Sequence, residues 1–200
     1  MKKGQAHPSA LTSKRMISEA LIEIIKEKEY KDITITEVCT RAQISRRTFY
    51  RNFETMDDVL VFFTRTIIDE FKIEMKKHAD ENLNKMLVSY FTFWNTQSDL
   101  LNQFIQKGLS TIIFIEYIKG MDEIFFLNNC SVFADKSNES PFLQAFLAGG
   151  LWSLLNYYVS HNCEATPQEL ADILLQQQSF LQQNAPINNT NEYAPTIITI

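Results

Sequence analysis

The 200-residue chain is 45% hydrophobic, enough for one large domain or two small ones with a real core. Only five Gly and five Pro among abundant Leu, Ile, Phe, Lys and Glu exclude a loop-rich protein and indicate a mainly helical one. Three scattered cysteines (Cys39, Cys130, Cys163) exclude a metal-ligand spacing, so a reduced, cytoplasmic setting is expected.

The net charge of −5 is unevenly placed. Residues 1–53 hold eleven Lys/Arg against six Asp/Glu, a balance of +5; residues 54–200 hold eight against eighteen, a balance of −10. A basic head on an acidic body suits a polyanion-binding module joined to a part kept off the polyanion.

In chain order, residues 1–10 read as an arm; polar residues follow Lys2 and Lys3, so no secretion signal is expected. A first helix is predicted from Thr12 to Lys28, with Ile17, Ala20, Leu21, Ile24 and Ile25 on one stripe. Tyr30–Ile33 is a connector. Thr34, three residues before Glu37, forms a capping-box pattern opening a short helix to Ala42. Gln43 and Ile44 make a turn, and Ser45 caps a third short helix ending near Phe53. Longer helices are predicted over Asp57–His78, Leu83–Trp94, Leu100–Leu109, Ile112–Leu127, Pro141–His161 and Pro167–Gln182, the last opened by Thr166 as N-cap and Pro167 as first residue. Asn128–Ser140 reads as a loop. The fold class is therefore all-α, divided into a basic head over 1–55, a helical body over 56–183 and a tail over 184–200.

Residues 141–163 contain no Asp, Glu, Lys or Arg. Gln144, Ser153 and Asn156 interrupt the run and no polybasic flank anchors it, so no membrane association is expected. A helix apolar all round is instead buried on several sides, as by a core plus a subunit interface. Gly149 and Gly150 within it cost about 1 kcal/mol each against Ala, which a close helix approach would offset.

The segment Thr34–Phe53, TITEVCTRAQISRRTFYRNF, has the parts of a helix-turn-helix. Val38, Ala42 and Ile44 hold the corner. Phe49 and Phe53, four apart, face the first helix. Arg46, Arg47, Tyr50 and Arg51 are left on the other face as two i,i+4 pairs. Arginine can bond two guanine acceptors at once, and Tyr or Thr hydroxyls can bond phosphate.

At these residues the chain resembles the tetracycline-repressor-like (TetR-type) regulators. Thr34, Ile35, Val38, Ala42, Ile44, Ser45, Thr48, Phe49, Tyr50 and Phe53 occupy matching positions of the motif. Phe91–Phe104 and Phe146–Leu175 resemble parts of one common C-terminal body of that family. The chain departs from the pattern at Gln43, for the usual turn Gly, at Arg47, for a second Gly, at Asn52, for His or Tyr, and at Met56, for Lys. The resemblance implies a homodimer on a near-palindromic double-stranded DNA operator. Arg46, Arg47 and Thr48 would read bases; Thr12, Lys14, Thr34, Ser45, Tyr50, Arg51 and Asn52 would position phosphates, and the Met56 backbone N–H could join them. A small apolar or aromatic effector would be lined by Phe63, Ile67, Phe91, Trp94, Phe104, Tyr117 and Trp152. The last two helices would form the dimer interface through Leu147, Leu151, Leu154, Tyr158, Leu170, Ile173, Leu174 and Leu181. An adaptor or coactivator answering to a partner protein is the alternative.

Catalysis has little support. His7, His78 and His161 are dispersed, Gly is absent between residues 5 and 107, and no cofactor or metal motif is present.

Overall fold

The computed structural model describes residues 9–79, 81–127, 141–161 and 163–184. Among these lie nine α-helices and one 3₁₀ turn: α1 (Ala10–Glu27), the turn Tyr30–Asp32, α2 (Ile35–Arg41), α3 (Arg46–Asn52), α4 (Met56–Lys77), α5 (Leu83–Thr96), α6 (Ser98–Gln106), α7 (Ser110–Leu127), α8 (Pro141–Ser160) and α9 (Pro167–Asn184). The all-α expectation holds. The expected arm up to residue 8, the loop over 128–140 and the tail beyond 184 lie outside the described residues.

Capping sets most helix starts. Thr34 and Glu37 form the expected reciprocal box, and Ser45 Oγ accepts from Thr48 N at 3.1 Å. Thr166 and Glu169 form a third reciprocal pair at α9, with Thr166 N donating to Glu169 Oε2 and Glu169 N to Thr166 Oγ1. Four starts differ from expectation, α6 and α7 each beginning two residues early, at Ser98 and Ser110. Ser9 Oγ accepts from Thr12 N at 3.2 Å, so α1 begins two residues before Thr12. Thr55 and Asp58 make a box that starts α4 at Met56. The connector Tyr30–Ile33 winds into the 3₁₀ turn. The expected tail start, Asn184, is instead the last residue of α9.

Helix α1 packs on α2, α3 and α4; α4 lies along α7; α5 lies along α9; α6 and α7 pack on α8. The centre of the body is aromatic. Phe71 meets Tyr90, Phe93 and Trp94, Trp94 meets Tyr117, and Tyr117 and Phe114 meet Trp152. The buried hydroxyls of Tyr90 and Tyr117 satisfy one another at 3.0 Å. Among the described residues no helix is long and apolar enough to cross a membrane.

The α4–α7 contact is the closest helix approach that a glycine reveals. A Cβ placed on Gly120 would lie 2.4 Å from Ile68 Cγ2. Gly149 and Gly150 behave oppositely: a Cβ on either meets nothing within 4 Å among the described residues, so no close approach between the described helices uses these two glycines.

Ion pairs reinforce the same α4–α7 seam. Arg65 Nε donates to the buried Glu116 carboxylate at 2.8 Å, and Lys72 Nζ meets Glu123 at 2.9 Å. Arg65, followed by Lys119, holds the Glu116 carboxyl below its ordinary range against the opposing effect of burial. A lowered folded-state pKa stabilises above the unfolded value, and that stabilisation is lost as pH falls through the folded value. Glu116→Gln should therefore cost about 1 kcal/mol near neutral pH, modest because Arg65 is largely in solvent. It should also flatten the fall in stability below about pH 4.5. Urea midpoints measured from pH 3 to 7 check this; an unchanged acid slope in the variant would refute it.

Candidate nucleic-acid interface

The turn between α2 and α3 orients the whole site. Ile44 N donates to Cys39 O at 2.9 Å and Gln43 N to Thr40 O at 3.2 Å, the two bonds of a Schellman termination. Such a turn needs a left-handed residue after the helix, and Gln43 takes it with φ 53°. This is the position where the TetR-type motif carries Gly. Gln43 is exposed, so its side chain contributes no packing to offset the strain. Gln43→Gly should therefore raise stability, by about 1 kcal/mol net of the extra freedom glycine gives the unfolded chain. Thermal or urea denaturation checks this, and a lower midpoint would contradict the strained turn.

Helix α3 then displays two faces. Phe49 is fully buried and Phe53 nearly so, with Phe53 edge-on to Phe62 of α4 at 5.6 Å. Arg46, Arg47, Tyr50 and Arg51 are exposed. No carboxylate of the described residues pairs with these three arginines. Arg46 instead lies against its own helix: Nη2 donates to Tyr50 Oη at 3.4 Å, and the guanidinium sits 5.9 Å from the ring centre.

Arg41 shows the contrast. Its guanidinium makes two bonds to Glu27, at 2.8 and 2.9 Å, and a third to Glu23 at 3.4 Å. This arginine fastens α2 to α1. Lys28 is likewise held by Glu37, whose carboxyl is lowered to about 2 by Lys28 and by the Thr34 cap. The basic excess of the head is thus partly consumed internally, while α3 keeps three arginines without a carboxylate partner among the described residues.

The remaining expected contacts vary. Thr12 lies in the first turn of α1 with its hydroxyl 2.8 Å from Ser9 Oγ. Thr34 caps the amino end of α2, and Ser45 caps the amino end of α3 at the turn. Thr48 is half-buried, its hydroxyl 3.0 Å from Ser45 Oγ. Asn52 is also half-buried and spends its Nδ2 on Thr48 O at 2.7 Å. Lys14 rests its ammonium over Phe53 and Phe62, 5.5 and 5.6 Å from the ring centres. The amino end of α4 is already occupied. Asp58 accepts from Thr55 N and Glu54 N, and Asp57 accepts from Tyr30 Oη. A phosphate beside Met56 would meet those two carboxylates.

In the body, Phe91, Trp94, Phe104 and Tyr117 are fully buried, Ile67 is nearly so, and Phe63 and Trp152 are half-buried. Of these, Trp94, Tyr117 and Trp152 pack ring against ring, and Phe91 meets Tyr90. Thr64 Oγ1, Trp94 Nε1 and Gln103 Oε1 are buried with no hydrogen-bond partner among the described residues. On the last two helices, Leu170 faces inward, and Leu147, Leu151, Leu154 and Leu174 are half-buried. Tyr158 donates within the chain, to Ala165 O at 3.0 Å. Ile173 is exposed, and the Leu181 side chain lies outside the described set. Sequence reasoning missed a different row. Phe142, Phe146, Gly150, Ser153 and Tyr157 form one exposed stripe along α8, with Phe142 86% and Phe146 74% accessible. Their i,i+4 and i,i+3 spacing was available in the sequence, but the apolar surroundings hid which side it faced.

No family profile matches the chain, and no curated protein matches it. Solved structures do. Lin0861 from Listeria innocua is 18% identical with a TM-score of 0.71, covering 90% of this chain and 97% of that one. The transcriptional regulator FadR from Bacillus subtilis, solved with stearoyl-CoA, is 15% identical with a TM-score of 0.59 over 81% and 95% of the two chains. The TetR family repressor AlkX from Dietzia, implicated in n-alkane biodegradation, is 14% identical with a TM-score of 0.52 over 84% and 97%. The fold of this chain is that of the TetR-type regulators.

Proposed function

We propose that the chain is a dimeric, sequence-specific DNA-binding transcriptional regulator of the cytoplasm, a repressor released by a small apolar or aromatic effector. The observation that carries this reading is the exposed face of α3, where Arg46, Arg47 and Arg51 stand beside Tyr50 with no carboxylate partner among the described residues. In this reading residues 1–55 form the DNA-binding unit and 56–184 the regulatory body. Arg46, Arg47 and Thr48 read bases, and Tyr50 and Arg51 join the cap residues in positioning phosphates. The second subunit docks on the outward stripe of α8, where the two Phe side chains and the unfilled space at Gly149 and Gly150 accept a helix from a copy of the chain. Stearoyl-CoA in FadR supports an effector with a long apolar part. The unpaired Thr64, Trp94 and Gln103 atoms offer polar anchors within the aromatic body.

A second reading, an adaptor that answers to a partner protein, is favoured by the direct ring contacts of Trp94, Tyr117 and Trp152, which fill that part of the body with side chains. The two readings separate cleanly. Thermal shifts with acyl-CoA and other apolar ligands should be positive under the first and absent under the second. For the reading common to both, the expected results are a dimer by light scattering and a protected near-palindromic site upstream of a target gene. Arg47→Ala with Arg51→Ala should weaken that binding at least about tenfold without changing stability. A monomer that protects no site at low salt would sink it.

A further inference from the structure

Arg46 and Arg47 are adjacent at the start of α3, where a recognition helix addresses base edges, yet they are held differently. Arg47 is exposed with no partner among the described residues. Arg46 lies along Tyr50 one turn later, with its guanidinium near the ring face and Nη2 donating to the hydroxyl at 3.4 Å. The Tyr50 ring is itself set edge-on against the buried Phe49 at 5.5 Å. A chain of contacts therefore runs from the core of the head, through Phe49 and Tyr50, to one guanidinium on the surface. Because the Tyr50 oxygen accepts from Arg46, its own O–H proton points elsewhere and remains free for a phosphate.

We propose that Tyr50 is a positioning residue for Arg46, holding that guanidinium for the N7 and O6 acceptors of one guanine in each operator half-site. The inference rests on the DNA-binding reading above and adds a target base and a division of labour. A long, flexible side chain loses rotamer freedom when it docks. Arg46 has given up part of that freedom already, against an anchored ring. Tyr50 consequently contributes to specificity as well as to overall affinity, unlike a residue that touches phosphate alone.

The test begins with full-length protein and a random duplex pool, from which bound sequences are selected. Each guanine of the selected site is then replaced by 7-deazaguanine, which lacks the N7 acceptor. In the unaltered protein, one guanine per half-site should show a loss of about fivefold or more that vanishes in Arg46→Ala. In Tyr50→Phe, which keeps the ring and removes the hydroxyl, the loss at that same guanine should shrink. Any guanine dependence that survives Arg46→Ala should be unchanged by Tyr50→Phe. Circular dichroism melts establish that both variants fold. If Tyr50→Phe weakens every sequence equally and leaves that guanine's dependence intact, Tyr50 is a phosphate contact only and the proposal falls. If no guanine depends on Arg46, the proposal falls while DNA binding stands. If no sequence is selected at all, both fall.

Discussion

Phe49→Ala is expected to cost about 3–5 kcal/mol of stability in the head and to abolish DNA binding with it. Phe49 is fully inaccessible and is the one buried side chain of the seven-residue α3. A helix that short has no stability of its own and depends on tertiary anchoring. Truncation leaves a cavity between α1, α2 and α3, and little else holds α3 in register. Both tryptophans, Trp94 and Trp152, lie in the body, so intrinsic Trp fluorescence will not report the loss. Amide exchange across residues 35–53 will. Protection there should collapse while α4–α9 change little, and unchanged protection of α3 would refute the anchoring role. The contrast with Arg47→Ala is diagnostic, since that exposed side chain should affect DNA affinity alone.

Gly120→Ala is the second large effect and runs against intrinsic helix preference. On propensity alone Ala should gain about 1 kcal/mol. The added methyl would sit 2.4 Å from Ile68 Cγ2, well inside contact distance. Ile68 is buried and β-branched, so its methyl cannot swing aside within a helix. The helices α4 and α7 must separate instead, at a typical overpacking cost of about 1–3 kcal/mol. The net expectation is a loss of up to about 2 kcal/mol. Ile68→Ala removes the obstructing methyl and is costly by itself, but in that background Gly120→Ala should become neutral or stabilising. Urea denaturation of the four proteins in the cycle measures the reversal. A raised midpoint for Gly120→Ala in the unaltered chain would show that the helices are not so close.

These two sites differ in how far the sequence exposes them. The Phe49 anchor was legible because i,i+4 aromatics, a Thr-x-x-Glu box and a Ser cap lie within twenty residues and are governed by local geometry. Gln43 could be placed in the turn for the same reason. Gly120 gave no signal, because its partner is fifty-two residues away on another helix. Arg41 was equally opaque, because the carboxylates that hold it lie on α1, fourteen and eighteen residues upstream. The uncharged α8 was recognised as a helix, but a helix apolar on all sides has no periodic contrast to tell inside from outside. Hence Tyr158, named as an interface residue, donates within the chain, and the exposed Phe142, Phe146 and Tyr157 went unnamed. Ser9, a lone serine in a polar arm, gave no reason to start α1 before Thr12.

The clasp of Arg41 by Glu23 and Glu27 also bears on how docking would respond to ions. Affinity for duplex DNA falls with added salt in proportion to the phosphates a protein neutralises, because each releases condensed counterions. Eleven basic residues in the first 53 would suggest a steep dependence. Arg41 and Lys28 are already neutralised by their own carboxylates, so they displace no counterion on contact. The thermodynamic valence of the head would then be smaller than its formal charge, and an affinity for duplex DNA correspondingly less exposed to the ionic strength of its surroundings.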